Sequence, residues 1–343
     1  MKRNLRLVGD QASHVFNQNT KITQLAKSGK IEEAVKLFSE MTHKNTVTYN
    51  SMISAYGKNG RLNDARQLFD IMPRRNLVSW NTMIAGGELE KARELFDSLP
   101  YKHDVACWNV MIGEYGKKGR FIEAKRLFDE MPVKNAVSWN LMLSGYTRNG
   151  EMRLGREFFE GMATRDVVSW NLMVDGFIQV GDLASALEFF DKIPTRNVVS
   201  WVTMLSGFAR RGKILESRRL FDQMPSRNVT AWNAMIDAYV KNCQIEEAAE
   251  LFTEMPKRDS VSWTTMIAGY VHVGQLDKAS EVLNQMPRKS TAAQTAIVSG
   301  YIKNKRMDKA HEVFNEIADR DIVCWNTMIA GILAKWLIIG CIE

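Results

Sequence analysis

The sequence predicts an all-α fold, an α-solenoid of about ten tandem helical hairpins, and three observations predict it. Eight of the nine tryptophans (Trp80, Trp108, Trp139, Trp170, Trp201, Trp232, Trp263 and Trp325) are 31 residues apart, save one gap of 28 and one of 62 where Gln294 holds the aromatic's place. Tyr49 continues the series upstream, and all seven prolines, from Pro73 to Pro287, keep the same phase. Within each period, apolar residues recur twice at helical spacing. A period in the range of about 20–50 residues marks stacked supersecondary units, each burying its apolar face against its neighbours.

With the aromatic as anchor, the units run 15–45, 46–76, 77–104, 105–135, 136–166, 167–197, 198–228, 229–259, 260–290 and 291–321, followed by an incomplete unit over 322–343. Residues 1–14 precede them as an N-terminal extension. Lys2, Arg3 and Arg6 come before its first acid, Asp10, which faintly resembles the remnant of an organelle transit peptide; chance basic residues explain it nearly as well.

The unit 167–197 reads VVSWNLMVDGFIQVGDLASALEFFDKIPTRN. Val168, Trp170, Met173, Val174 and Phe177 form one helical stripe, which Gly181 closes as glycine does just past a helix C-terminus. Leu183, Ala186, Phe189, Phe190 and Ile193 form a second stripe, and Pro194 marks its stop. The second stripe recurs as Leu62, Ala65, Leu68, Phe69, Met72 and as Ile245, Ala248, Leu251, Phe252, Met255. The small column Ala34, Ala65, Ala92, Ala124, Ala186, Ala248, Ala279 and Ala310 suits close approach of neighbouring helices.

Two units are irregular. In 77–104, Met83-Ile84-Ala85-Gly86 runs straight into Gly87-Glu88-Leu89, so the first helix should be about one turn short. The last unit opens as IVCWNTMIAG and becomes ILAKWLIIGCIE, with no second stripe and no polar cap. The expectation from this tail is a truncation scar with an exposed apolar side that promotes self-association; it is too short to span a membrane.

Composition is that of a soluble folded chain, with 45% hydrophobic and 25% charged residues, and the net charge of +7 mildly favours polyanionic partners. The four cysteines, Cys107, Cys243, Cys324 and Cys341, form no CxxC pair and read as incidental thiols of a reducing compartment. No apolar run reaches the roughly 18 residues of a membrane span.

The segments IVCWNTMIAG, VSWNTMIAG and GRLNDARQLFDIMPRRN resemble the pentatricopeptide repeat (PPR) family, in particular its plant-organelle class of short 31-residue repeats. The resemblance covers residues 15–331. Tetratricopeptide and HEAT repeats are disfavoured by period, and the W-x₂-L-G-x₂-Y pattern is absent. The resemblance implies a right-handed superhelix and sequence-specific binding of single-stranded RNA, one base per repeat. It also implies a recognition factor in organelle RNA processing or editing, with the mitochondrion as the expected location and the chloroplast as the alternative.

In the family, bases are read by the residue after the aromatic and by the last residue of the same repeat. Here the first column is Asn19, Asn50, Asn81, Asn109, Asn140, Asn171, Val202, Asn233, Thr264, Thr295 and Asn326; the second is Asn45, Asn76, Asp104, Asn135, Asp166, Asn197, Asn228, Asp259, Ser290 and Asp321. The boundary column also reads as N-caps of the next helices, a role that can coexist with base contact. The column after the aromatic lies inside a helix, where Asn is mediocre, so base reading is favoured there over capping. Val47, Val78, Val137, Val168, Val199 and Val261, with Ala106, Thr230 and Ala292, stand two residues before the aromatic. In the family this place sandwiches the base; simple helix packing explains it as well. Lys27, Lys58, Lys117, Arg148, Arg210, Lys241, His272 and Lys303 end the first helices, broken by Gln179 and the deletion. They serve equally as C-terminal helix charges and as a phosphate track. The tryptophans belong to the core rather than to base stacking, because they lie in the apolar stripe.

Donors and acceptors set the choice of base. A boundary Asp only accepts and suits the imino N–H of uracil or guanine; a boundary Asn can donate and tolerates cytosine or adenine. Asn beside the aromatic favours the smaller pyrimidines, and Thr leaves room for purines. This agrees with the family's code. It gives a pyrimidine, cytosine preferred, for 15–45, 46–76, 105–135 and 167–197, and uracil for 77–104, 136–166 and 229–259. Thr295 with Asp321 takes guanine, Thr264 with Ser290 a purine, and Val202 discriminates poorly. The expected ligand is close to 5′-YYUYUYNURG-3′, its 5′ end at the N-terminal repeat.

Related plant proteins often end in a cytidine-deaminase-like domain marked by H-x-E and P-C-x-x-C. Neither motif occurs here, since Glu312 directly follows His311 and the cysteines are isolated. The expectation is a non-catalytic binder with no metal, cofactor, membrane or small-molecule substrate; a role in editing would need a catalytic partner in trans. A protein-binding scaffold is the alternative, weakened by the near-uniform Asn/Thr column, and a truncated non-functional product is the other.

Overall fold

A computed structural model describes residues 2–86, 89–98 and 104–340; Gly87 and Glu88 of the expected deletion lie outside the described residues. Among the described residues there are twenty-one α-helices and no strand. The chain divides into two units, Met1–Leu172 and Met173–Glu343. The first contains α1 (Lys2–Lys27), α2 (Ile31–Glu40), α3 (Thr46–Lys58), α4 (Leu62–Asp70), α5 (Leu77–Gly86), α6 (Leu89–Asp97), α7 (Val105–Lys117), α8 (Phe121–Glu130), α9 (Ala136–Arg148) and α10 (Met152–Glu160). Helix α11 (Val167–Val180) carries the boundary. The second contains α12 (Leu183–Asp191), α13 (Val198–Arg210), α14 (Ile214–Gln223), α15 (Val229–Lys241), α16 (Ile245–Glu254), α17 (Ser260–His272), α18 (Leu276–Gln285), α19 (Thr291–Lys303), α20 (Met307–Glu316) and α21 (Ile322–Gly340). The expected N-terminal extension from residue 2 is continuous with the first helix of the first repeat.

Within each unit, consecutive helices form hairpins and each first helix packs on the next: α3 on α5 and α7 on α9 in the first unit, α13 on α15 and α17 on α19 in the second. The core is what the double stripe dictates. Met52, Ile53, Ile84, Met111 and Ile112 are buried in the first unit, and Met204, Leu205, Met235, Ile236 and Ile267 in the second. The alanine column is buried in all eight places, where a larger side chain would force the helices apart.

The tryptophans are packing residues, as expected. Each of the eight periodic tryptophans stands edge-on to a phenylalanine from the preceding second helix: Phe69 with Trp80 (4.9 Å between centroids) and Phe128 with Trp139 (4.7 Å) in the first unit, Phe190 with Trp201 and Phe221 with Trp232 (both 5.1 Å) in the second. The edge-to-face arrangement adds roughly 0.5–1.5 kcal/mol beyond area burial. Where Gln294 replaces tryptophan, its partner is also replaced, by Leu283; both are buried.

A clamp that the sequence reading did not single out completes this seam. Arg196 donates from Nε to the Phe190 carbonyl (2.9 Å) and from Nη2 to that of Asp191 (2.9 Å), with its guanidinium 4.6 Å from the Phe190 ring centroid. Arg75, Arg165, Arg227, Arg258 and Arg320 bond the corresponding carbonyls of their own repeats. The last carbonyls of a helix lack intrahelical partners, and a cation there also meets the negative end of the helix dipole. The readable signal is the basic residue directly before each boundary Asn or Asp.

Asparagines after the first helices tie neighbouring repeats. Asn149 Nδ2 donates to the carbonyls of Gly145 (2.7 Å) and Gly116 (3.0 Å), and Asn242 to those of Ala238 (2.8 Å) and Ala209 (3.1 Å). Gly181 turns with φ +91, as its place after a helix predicts; Cys243 and Lys305 hold the same left-handed turn at φ 58 and 59. Helix α5 has 10 residues against 13 in α3 and α7, the expected loss of about one turn. On α21, Ile329 and Leu333 are exposed; the side chains of 334–340 and all of 341–343 lie outside the described residues.

Candidate nucleic-acid interface

The first helices carry three columns side by side, and the local chemistry of each repeat fixes them. The boundary residue is the N-cap of the following helix. Asn45 Oδ1 accepts from Thr48 N–H (2.9 Å), Asn76 Oδ1 from Ser79 N–H (3.0 Å), Asn135 Oδ1 from Ser138 N–H (2.9 Å) and Asp166 Oδ1 from Ser169 N–H (2.8 Å). In the second unit, Asn197, Asn228, Asp259, Ser290 and Asp321 cap Ser200, Ala231, Ser262, Ala293 and Cys324 in the same way. The cap consumes the oxygen that Asn and Asp share. It leaves the group in which they differ: the Nδ2 amide donor of Asn, or the second carboxylate oxygen of Asp.

The column after the aromatic is anomalous for a structural residue. The Oδ1 atoms of Asn19, Asn50, Asn81, Asn109, Asn140 and Asn171, and of Asn233 in the second unit, are buried without a hydrogen-bond partner, as is the Thr295 Oγ1. Buried polar atoms in folded proteins are nearly always paired, so a repeated exception needs an explanation. In three repeats the amide nitrogen bonds the boundary residue of the same repeat. Asn140 Nδ2 donates to Asp166 Oδ1 (3.2 Å) and Oδ2 (3.0 Å), Asn233 Nδ2 to Asp259 Oδ1 (3.1 Å), and Asn109 Nδ2 to Asn135 Oδ1 (3.5 Å). In these repeats the two residues are brought together although they are 26 residues apart. Burial acts to raise the pKa of Asp259, yet bonds from the Ser262 N–H, the Asn233 amide and the Ser262 hydroxyl outweigh it. The carboxyl is held below its usual range and remains an acceptor at neutral pH. Thr264 spends its hydroxyl proton on the Ser260 carbonyl (2.7 Å), and Val202 is half-buried with nothing to offer.

The valine column lies outside the packed core. Val47, Val78, Val137 and Val168 are 54–58% exposed, as are Val199 and Val261 at 58%, and Ala106, Thr230 and Ala292 are exposed too. Val168, placed by its spacing in the buried stripe, is outside it. A side chain exposed to water at the same place in successive repeats, valine in six of them, is not a core residue.

The basic column is exposed at the ends of the first helices. Its members are not equivalent. Lys117 pairs with Glu114 (2.7 Å) and Lys241 with Asp237 (2.7 Å). Lys58, Arg148, Arg210 and Lys303 have no ion-pair partner among the described residues. Gln179, which interrupts the column, donates to Asp175 (2.6 Å). Sequence reading missed these acids because each lies one helical turn away from the column it modifies.

Grooves between first helices gather the columns. One of about 460 Å³ in the first unit is lined by Lys58, Val78 and Asn81 with Thr82 and Ala85. Another of about 710 Å³ in the second is lined by Lys241, Val261, Thr264 and His272 with Ala268 and Ala292. Each thus combines a cation of one repeat with the exposed valine and the residue after the aromatic of the next. Cys107, by contrast, is buried and its thiol pushed up to about 11 by burial and then by the Asp104 carboxylate, which keeps it protonated at neutral pH.

The PPR repeat pattern matches residues 22–46, 47–77, 78–102, 106–135, 137–167, 168–198, 199–229 and 295–322, and the PPR repeat family pattern matches 227–259 and 258–295. No curated protein matches the chain. Among solved structures, the crystal structure of the pentatricopeptide repeat protein PPR10 from maize is 21% identical, over 95% of this chain and 58% of that one, with a TM-score of 0.45. PPR10 in complex with an 18-nt psaJ RNA element is 20% identical over 94% of this chain and 58% of that one (TM-score 0.44). The APC/C hetero-tetramer Cut9-Hcn1 is 13% identical over 92% and 83% (TM-score 0.29). The chain thus spans 58% of the length of PPR10.

Proposed function

The chain belongs to the pentatricopeptide repeat family, and from that premise we propose that it binds single-stranded RNA sequence-specifically, one base per repeat, as a non-catalytic recognition factor in organelle RNA processing or editing. The observation that carries this reading is the run of buried, unpartnered amide oxygens beside capped boundary residues. A polar group held dry and unpaired has most to gain from a ligand that supplies its partner. The remaining donor of a capped Asn or acceptor of a capped Asp then reads the base edge, and the exposed valines cover its faces. The preferred ligand is close to 5′-YYUYUYNURG-3′. The organelle setting, mitochondrion or alternatively chloroplast, rests on the family resemblance, and a catalytic partner in trans would be needed if the RNA is edited.

The valines offer a test that leaves the fold alone. Val137→Asp and Val261→Asp, each at an exposed site, should lower RNA affinity about fivefold or more, since sandwiching a base contributes roughly 1–3 kcal/mol by analogy with aromatic stacking. Thermal unfolding by circular dichroism should be unchanged. Full affinity in both variants would return the column to an idle surface.

The acid beneath the track gives the opposite effect. Asp237→Ala should release Lys241 to a phosphate, tightening binding and steepening the log K against log salt slope by about 0.7, the increment for one phosphate of a single strand. Fluorescence anisotropy across a salt series measures both; an unchanged slope would show that Lys241 does not lie on the track.

A further inference from the structure

We infer that the repeat 77–104 holds its place on the RNA without selecting a base, so that the third nucleotide is passed over. This rests on the base-reading proposal above and changes one letter of it.

The residue types ask for uracil here, because Asn81 and Asp104 are the same pair as Asn140 with Asp166 and Asn233 with Asp259. The geometry differs. In the two regular repeats the carboxylate is held at two points: it accepts the N–H of the third helical residue (Ser169 at 2.8 Å, Ser262 at 2.9 Å) and the amide of the reading Asn (3.0 Å and 3.1 Å). Asp104 instead accepts the N–H of the second helical residue, Ala106, at 2.7 Å. Its backbone sits at ψ 120, against 174–179 for Asn45, Asn135, Asn197, Asn228 and Asp259. Among the described residues, Asn81 makes no hydrogen bond to Asp104. A carboxylate turned one residue along the helix and held by a single bond does not present its second oxygen at the fixed place that a base edge requires.

The cap residues themselves are not the cause. Asp321 is followed by Cys324 as Asp104 is by Cys107, with no hydroxyl to close a capping box, and Asp321 still caps the third residue (2.8 Å). What differs is chain length on both sides. The reading and boundary residues are 23 apart in this repeat and 26 apart in the regular ones. The deletion in the first hairpin turn accounts for the shortening. Against it, the stretch from Phe96 to Asp104 is one residue longer than from Phe69 to Asn76 or Phe159 to Asp166. By sequence that extra residue falls between Pro100 and Asp104, directly before the boundary residue.

The experiment compares two positions on the full chain. Binding of 5′-CCUCUCAUAG-3′ is measured against the three substitutions at nucleotide 3 and the three at nucleotide 5, which faces Asn140 and Asp166. The expected result is a loss on the order of tenfold or more at nucleotide 5 and less than about threefold at nucleotide 3. Comparable losses at both would overturn the inference while leaving the base-reading proposal standing. Indifference at both would sink the base-reading proposal, and the inference with it. A second variant, with His103 deleted to restore the usual loop length, should acquire uracil selectivity at nucleotide 3. If it folds, binds the ten-mer and stays indifferent there, loop length is not what silences the repeat.

Discussion

Asp166→Asn is expected to move the preference of the repeat 136–166 from uracil to cytosine, a reversal on the order of tenfold to a hundredfold in relative affinity at nucleotide 5. The substitution changes one atom of one functional group. Asn caps the same helix position in Asn45, Asn135 and Asn197, so the bond to the Ser169 N–H survives and stability should stay within about 0.5 kcal/mol of the parent. What is lost is the second carboxylate oxygen, the acceptor for an imino N–H; what appears is an amide donor suited to the cytosine N3. Anisotropy titrations with U, C, A and G at that nucleotide alone measure the switch. An unchanged order of preference would mean that Asp166 is a helix cap and nothing more.

The second large effect is on stability. Phe221→Ala should cost about 3–5 kcal/mol, the range for truncating a buried aromatic. Phe221 is 1% exposed, meets Trp232 edge-on at 5.1 Å and lies under the Arg227 guanidinium at 4.8 Å. Arg227 also bonds the Phe221 carbonyl, so the loss loosens the clamp on the end of α14 as well as the seam to α15. In a tandem array each repeat is stabilised mainly by its neighbours, which makes such a seam a limiting element. Urea unfolding followed by circular dichroism reads the change directly. A cost below about 1 kcal/mol would show that the seam contributes little beyond area burial.

Much of this was legible in the residues. Tryptophan spacing located the repeats, and two stripes of period 3.6 per repeat located the hairpins, because burying one face of each helix leaves no other arrangement for Met52-Ile53 or Met235-Ile236. The short α5 followed from counting residues. Other features stayed hidden for physical reasons. A valine suits a core or a surface contact equally well by type, and only the exposure of the column from Val47 to Val261 takes it out of the core. The arginine clamp acts on backbone carbonyls, which every residue carries, so its targets leave no mark in the sequence. Lys241 and Arg210 look alike as letters, yet an acid one turn away occupies the first. Asp104 has the same identity as Asp166 and Asp259 but accepts the N–H of the second helical residue rather than the third, which its letter does not reveal.

The most direct measurement is a competition between 5′-CCUCUCAUAG-3′ and a ten-mer of the same composition in scrambled order, for the purified chain at about 0.15 M salt. Composition and charge are then equal, so non-specific phosphate attraction cancels and only the order of bases remains. The account predicts that the ordered ten-mer binds at least about tenfold more tightly. Equal affinity would contradict it, leaving the paired columns as helix caps on a basic surface.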